Sequence, residues 1–255
     1  MASGGNVQQH ALAGVAGPVG RRLASLGITA RADVDAFWQL ARVRDGIDRD
    51  QTIVGGTGSV NQFAVLLEGV ACISSRHADG SRQIHAFRYP GDFFGFDGFL
   101  FARSAEPDDV QALARCSIGM IDRDALEQAI ERHPALGRAL WRAALVDMRI
   151  LRQRKVVGRR PEPQRVAHLL CELLARLGLD GGVIPLAPTD IADTTGLSVV
   201  NVNQIFQELR QVGVLSERHP LEVVSKERLQ EISAFDGRYL DFGGPSSRWD
   251  LRIDE

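Results

Sequence analysis

Between residues 189 and 211 the chain sets Ala192, Gly196 and Ser198 at spacings that build a helix-turn-helix. Two helices crossing steeply need a small residue where they touch, and Ala192 supplies it. The tight turn between them needs a positive φ, which glycine adopts without steric cost, and Gly196 stands where that turn falls. The Ser198 hydroxyl can cap the second helix, and Thr189 can cap the first. Leu197, Val202, Ile205, Phe206 and Leu209 share one helical face and read as its buried stripe. Val199, Val200, Asn201, Asn203, Gln204 and Gln207 are left at the start of the helix or on its other faces. In such a motif the second helix enters the major groove and its first residues reach base edges. Amides suit adenine N6 and N7, so Gln204 is the first candidate reader and Asn201 the second. Val199 or Val200 could meet a thymine methyl. The chemistry implied is readout of double-stranded DNA. The competing reading is a helical hairpin whose polar side chains are merely solvated.

Local charge is consistent with DNA as a partner. Between Arg149 and Arg165 there are seven basic residues and one acid, Glu162. Arg159, Arg160 and Arg165 border the helix-turn-helix region and are the candidates for phosphate contact. The rest of the run reads equally as a solvated helix face. The formal net charge of −2 carries no such signal by itself. Motifs of enzymes are missing: no P-loop, no G-x-S-x-G, no G-x-G-x-x-G and no histidine pair at i, i+4. The glycine-rich stretch Gly55-Gly56-Thr57-Gly58 lacks the lysine of a phosphate loop and reads as a turn. Cys72, Cys116 and Cys171 are far apart and read as small buried apolar residues, not as a disulfide or metal framework.

The elements that must position this unit differ in texture along the chain. Residues 1–30 begin Gly/Ala-rich and nearly uncharged, and are expected to form an unstructured tail. Residues 32–42 have helical spacing through Val34, Phe37, Trp38 and Ala41. From about residue 51 to 122, short apolar runs alternate with turns such as Asp79-Gly80 and Pro90-Gly91-Asp92, the pattern of a sandwich or barrel. A short helix follows through Leu126, Ala129 and Ile130, broken at His133-Pro134. Residues 135–157 then run without a strong breaker. On this stretch Leu140, Trp141, Ala144, Leu145, Met148 and Leu151 recur at three- and four-residue steps. A helix of roughly 35 Å is long for one small domain to cover, so a partner helix is expected, with packing on its own domain as the alternative. Gly158, Pro161 and Pro163 mark the domain break. No apolar run is long enough to span a membrane, no signal peptide is visible, and a reducing cytoplasm fits the cysteines. The fold class expected is α+β: a β-rich domain over 31–134, a long helix over 135–158, a helix-turn-helix domain over 159–242 and a tail over 243–255.

This order of parts resembles the Crp/Fnr family of bacterial regulators, over roughly residues 31–242. Three stretches carry the resemblance: Leu67-Glu68-Gly69-Val70-Ala71; Pro90-Gly91-Asp92-Phe93-Phe94-Gly95; and residues 165–174 together with the helix-turn-helix after them. The stretch Phe235-Asp236-Gly237-Arg238-Tyr239-Leu240 resembles the ends of a group of proteobacterial members with unassigned effectors. The resemblance implies a cyclic-nucleotide-binding-like jelly roll, a dimerisation helix and a winged helix-turn-helix. It also implies a homodimer on a pseudo-palindromic DNA site, and contact with RNA polymerase if the protein is an activator.

Departures from the family pattern carry information too. Cyclic-AMP-binding members follow Gly-Asp-Phe-x-Gly with a glutamate for the ribose; Phe96 stands at that place here, with Asp97 next. The arginine–serine pair that holds the cyclic phosphate would fall at Glu106-Pro107, beside Asp108-Asp109, whereas Arg103-Ser104 lies a few residues early. Cyclic nucleotide is therefore not the expected ligand, unless a loop shift brings Arg103 and Ser104 into place. No cysteine precedes Cys72, which excludes the clustered N-terminal cysteines of iron–sulfur members. His77 and His85 are expected to be ordinary surface or sheet residues, not haem ligands. In the recognition helix Val200 and Gln204 replace the usual glutamate and arginine, so the DNA site should differ from the family's common half-site. The alternative function is a ligand-sensing or protein-interaction module with weak or lost DNA binding.

Overall fold

The computed structural model describes residues 17–54, 63–96, 109–217 and 220–240. Residues 1–16 of the expected N-terminal tail, residues 241–242 and the expected tail over 243–255 lie outside them, as do Arg103 and Ser104. The described residues begin with helices α1 (Pro18–Ser25) and α2 (Arg31–Leu40). Strands β1 (Ala41–Ile47), β2 (Thr52–Val54), β3 (Phe63–Glu68), β4 (Ala71–Arg76), β5 (Arg82–Arg88), β6 (Phe93–Phe94), β7 (Asp109–Ala112) and β8 (Cys116–Ile121) follow. Next come α3 (Arg123–Arg132) and the long α4 (Pro134–Val157). The last part is α5 (Glu162–Leu177), β9 (Gly182–Val183), α6 (Pro188–Thr195), α7 (Val199–Gln211), β10 (Glu222–Val223), α8 (Lys226–Ser233) and a 3-10 turn (Gly237–Tyr239). No helix of the described residues is long and apolar enough to cross a membrane.

Among the described residues, eight strands form two antiparallel sheets, ordered β1-β8-β3-β6 and β2-β7-β4-β5. Their inner faces meet through Ile47, Leu66, Phe94 and Ile118 from the first sheet and Ile53, Val54, Val110 and Ala112 from the second. This is the expected jelly roll. Its outer faces are covered as well, which explains why β3 is apolar throughout: Phe63, Val65 and Leu67 face the helices, while Ala64 and Leu66 face the other sheet. The 63–74 run is two strands, because Gly69 turns the chain at φ +87 with the Arg115 carbonyl 2.3 Å from where a Cβ would stand. Strand β5 departs from simple alternation. The β4–β5 register shifts between Ile73 and Ser74, so His85 is an extra residue, and Ile84 and Phe87 are both buried.

The expected tail over residues 1–30 is structured in its second half. Pro18–Ser25 is helical, with proline at the start of its first turn, and Val19, Leu23, Leu26 and Ile28 bury into the cluster with α2, α3 and α4. Only Val19 and Leu23 are buried apolar positions within Pro18–Ser25, and the Gly- and Ala-rich residues before them mask that spacing. The three cysteines are buried as expected, and burial pushes the thiols of Cys72 and Cys171 up to about 11.

Candidate nucleic-acid interface

Helix α6 begins at Pro188, with Ala187 at the capping position. Thr189 thus lies inside the first turn and does not cap it. The Asp190 carboxylate does that work, accepting the Ala187 N–H at 2.9 Å. The helix ends at Gly196 with φ +68, where the Gly196 N–H donates to Ala192 O at 2.9 Å. Ser198 caps α7 as expected, its Oγ accepting from Asn201 N at 3.1 Å. Val202, Ile205, Phe206 and Leu209 bury one face of α7, with Leu197 partly buried against them. The opposite side is open: Val200 is 75% exposed, and Val199, Asn201, Asn203, Gln204 and Gln207 are exposed too. After α7, Gly213 reverses the chain at φ +69 and Leu215 bridges Val223, so the small β9–β10 sheet forms a wing.

The bordering arginines divide. Arg159 is exposed. The Arg160 guanidinium donates to the carbonyls of Ser233 and Ala234 at 2.5 and 3.4 Å and holds the end of α8. Arg165 donates to Thr195 O at 3.3 Å and pairs with Glu162 at 3.6 Å. Two of the three cations expected to meet phosphate are therefore engaged within the fold.

Sequence reasoning missed how α6 is held. Asp190 has no exposed surface; Arg49 reaches its Oδ2 at 2.7 Å and Arg82 its Oδ1 at 2.8 Å. Arg82 also pairs with Asp193 at 2.7 Å, and Gln83 donates to Asp193 O at 2.7 Å. These partners come from the β1–β2 turn and the start of β5, so the jelly roll grips the first helix of the helix-turn-helix. Local spacing carries no signal of these contacts, which join positions 108 or more apart in the chain. A second junction lies at α5, where Glu172 takes Arg154 at 3.1 Å and the Tyr239 hydroxyl at 2.7 Å. There His168 is buried, with Nε2 3.2 Å from Tyr239 Oη, and burial lowers its pKa to about 4.

Along α4 the expected partner stripe is exposed: Trp141 at 75%, Leu145 at 55%, Met148 at 46% and Leu151 at 45%, with Ala144 half-buried between them. Leu140 departs from it. It is buried with Leu136, Ala139 and Ala143 against the chain's own first sheet and N-terminal helices. In the jelly roll, Phe96 at the ribose-glutamate place packs edge-on against Phe63 at 5.4 Å. His85 is held by Ser75 Oγ at 2.7 Å. Among the described residues no group of three or more His, Cys, Asp or Glu side chains could hold a metal ion.

Two family models match separate stretches of the chain. Residues 47–133 match the cyclic nucleotide-binding domain family, and residues 164–232 match the Crp-like helix-turn-helix domain family. The nitrogen fixation regulation protein FixK of Azorhizobium caulinodans is 28% identical over 71% of this chain and 74% of its own length. The transcriptional activatory protein AadR of Rhodopseudomonas palustris is 29% identical over 75% of this chain and 80% of its own. Among solved structures, FixK2 from Bradyrhizobium japonicum superposes with a TM-score of 0.67 at 25% identity, covering 77% of this chain and 98% of that one.

Proposed function

The chain belongs to the Crp/Fnr family of transcriptional regulators, and from that premise we propose that it binds a pseudo-palindromic DNA site as a homodimer. The observation that carries this reading is the open face of α7, where Val200, Asn201, Asn203, Gln204 and Gln207 project from a helix capped by Ser198. Helix α7 enters the major groove, and Gln204 reads adenine through its amide, with Val199 or Val200 against a thymine methyl. With Val200 and Gln204 at these places, guanine readout is weaker than a glutamate–arginine pair would give. Arg159 contacts phosphate. The α4 stripe through Trp141, Ala144, Leu145, Met148 and Leu151 packs against the same stripe of a second copy, an isologous contact that sets two half-sites about one helical turn apart. Functionally, residues 31–134 form the sensor-like domain, 135–158 the dimerisation helix and 159–242 the reading domain. As an activator the dimer would also contact RNA polymerase.

The exposed face of α7 bears no cation at its start, so sequence-independent affinity should be modest. Fluorescence anisotropy with labelled duplexes tests the assignment of Gln204. Gln204→Ala is expected to weaken the preferred site by about 1–3 kcal/mol and to relax base preference at one position of each half-site. Unchanged affinity and unchanged base preference would refute the assignment.

A further inference from the structure

The N-termini of α5 and α7 meet at Glu162. Its Oε2 accepts a hydrogen bond from Asn201 Nδ2 at 3.3 Å, and its Oε1 lies 3.6 Å from Arg165 Nη2. Arg165 in turn donates to the carbonyl of Thr195, the last residue of α6. One acid thus ties the start of the open helix to the two helices behind it. A carboxylate offers lone pairs and no proton, so the Asn201 amide can face it only with its NH2 end. The amide carbonyl is then turned away from Glu162. Paired recognition of adenine needs both ends of an amide at once, the oxygen on N6 and the NH2 on N7. An amide tethered by its NH2 presents an acceptor first. That suits a base amino group, adenine N6 or cytosine N4, more than the paired adenine edge expected for this residue.

We propose that Glu162 is a positioning residue for DNA readout, orienting the Asn201 amide and, as an anion beside the start of α7, holding down affinity for DNA of arbitrary sequence. The proposal rests on the DNA-reading function above. Its second arm follows from charge. Phosphate neutralisation supplies the sequence-independent part of binding. Glu162 adds a negative charge at this surface and partly neutralises Arg165, the cation beside it.

The test compares the full-length protein with E162A, N201A and the double variant. Each is checked for folding by circular dichroism. Affinities are then measured for a selected site, for that site with each base replaced in one half, and for a random-sequence duplex. E162A is expected to raise affinity for the random duplex on the order of threefold at low salt. It is also expected to change base preference at one half-site position. In the N201A background E162A should no longer alter that preference. A wild-type base preference that E162A leaves unchanged would overturn the proposal alone, as would a change that persists in the N201A background. Absence of any sequence preference in the wild type would overturn the DNA-reading function, and this proposal with it.

Discussion

Asp190 is the residue on which the two halves of the chain lean hardest. Its carboxylate is wholly buried between Arg49 and Arg82, and it caps its own helix through Ala187 N–H. Removing one charge from a buried ion-pair cluster strands the others, which is where the energetic cost arises. Asp190→Asn is expected to lower the unfolding free energy by about 3 kcal/mol, the low end for such pairs because Arg82 keeps Asp193. Urea unfolding measures it, and a loss below about 1 kcal/mol would mean that the arginines find equal partners in water. His168 makes a separate prediction. Burial holds its pKa at about 4, below the ordinary value of 6.5, and its charged neighbours are Glu172, Arg160 and Arg154. The unfolded chain therefore takes up a proton between pH 6.5 and 4 that the native chain refuses. Stability should be full above pH 6.5 and fall by up to about 3 kcal/mol towards pH 4. His168→Gln should flatten that part of the profile, whereas an unchanged slope would assign it to other groups. At this scale the sequence was legible where a side chain serves its own neighbourhood. The Ser198 cap and the Gly196 turn need only local register. Thr189 misled because Pro188 takes the first helical position. The Arg49–Asp190 pair, 141 positions apart in the chain, exists only once the fold is made.

Among the elements, α4 has two apolar faces, one buried and one open. Leu136, Ala139, Leu140 and Ala143 bury against the chain's own β-domain, while Trp141, Leu145, Met148 and Leu151 stay open. Helical periodicity located the helix and most of the open stripe. It could not say on which side of Leu140 the border between the two faces falls, since neighbouring stripes are both apolar. Exposed apolar surface on one helix face costs free energy unless it is covered. Trp141→Arg combined with Leu145→Arg is expected to give a folded monomer by analytical ultracentrifugation. Binding to a two-half-site duplex should fall at least tenfold, through loss of the linked second contact. A dimer that survives both substitutions would place the interface elsewhere. The α1 helix was missed for a related reason. Its apolar positions are few, and a Gly- and Ala-rich context reads as a tail until a surface is present to receive Val19 and Leu23.

Taken whole, the chain is continuous in energy across its proposed division. Val70, Cys72, Ile84 and Phe87 of the β-domain share one core with Val166, Leu170, Ile191 and Phe206 of the helix-turn-helix part. Ion pairs reinforce it: Arg88 with Asp147 at 2.7 Å and Arg176 with Asp92. The break at Gly158 and the prolines after it is thus a bend in the path, not a gap between independent bodies. Order of parts was legible from patterning, because strand-and-turn texture and the helix-turn-helix are local signals; patterning reached only a sandwich or barrel, and the jelly roll came from the family resemblance. The docking of one part on the other was not, because it rests on contacts between residues far apart in the chain. The proposed function requires this assembly to read DNA as a two-fold dimer. Selection of bound sequences from a random duplex library with the purified full-length protein tests it most directly. A two-fold dimer should enrich an inverted repeat whose half-site centres lie about 10 base pairs apart. Recovery of no common sequence, or of a single unrepeated half-site, would contradict it.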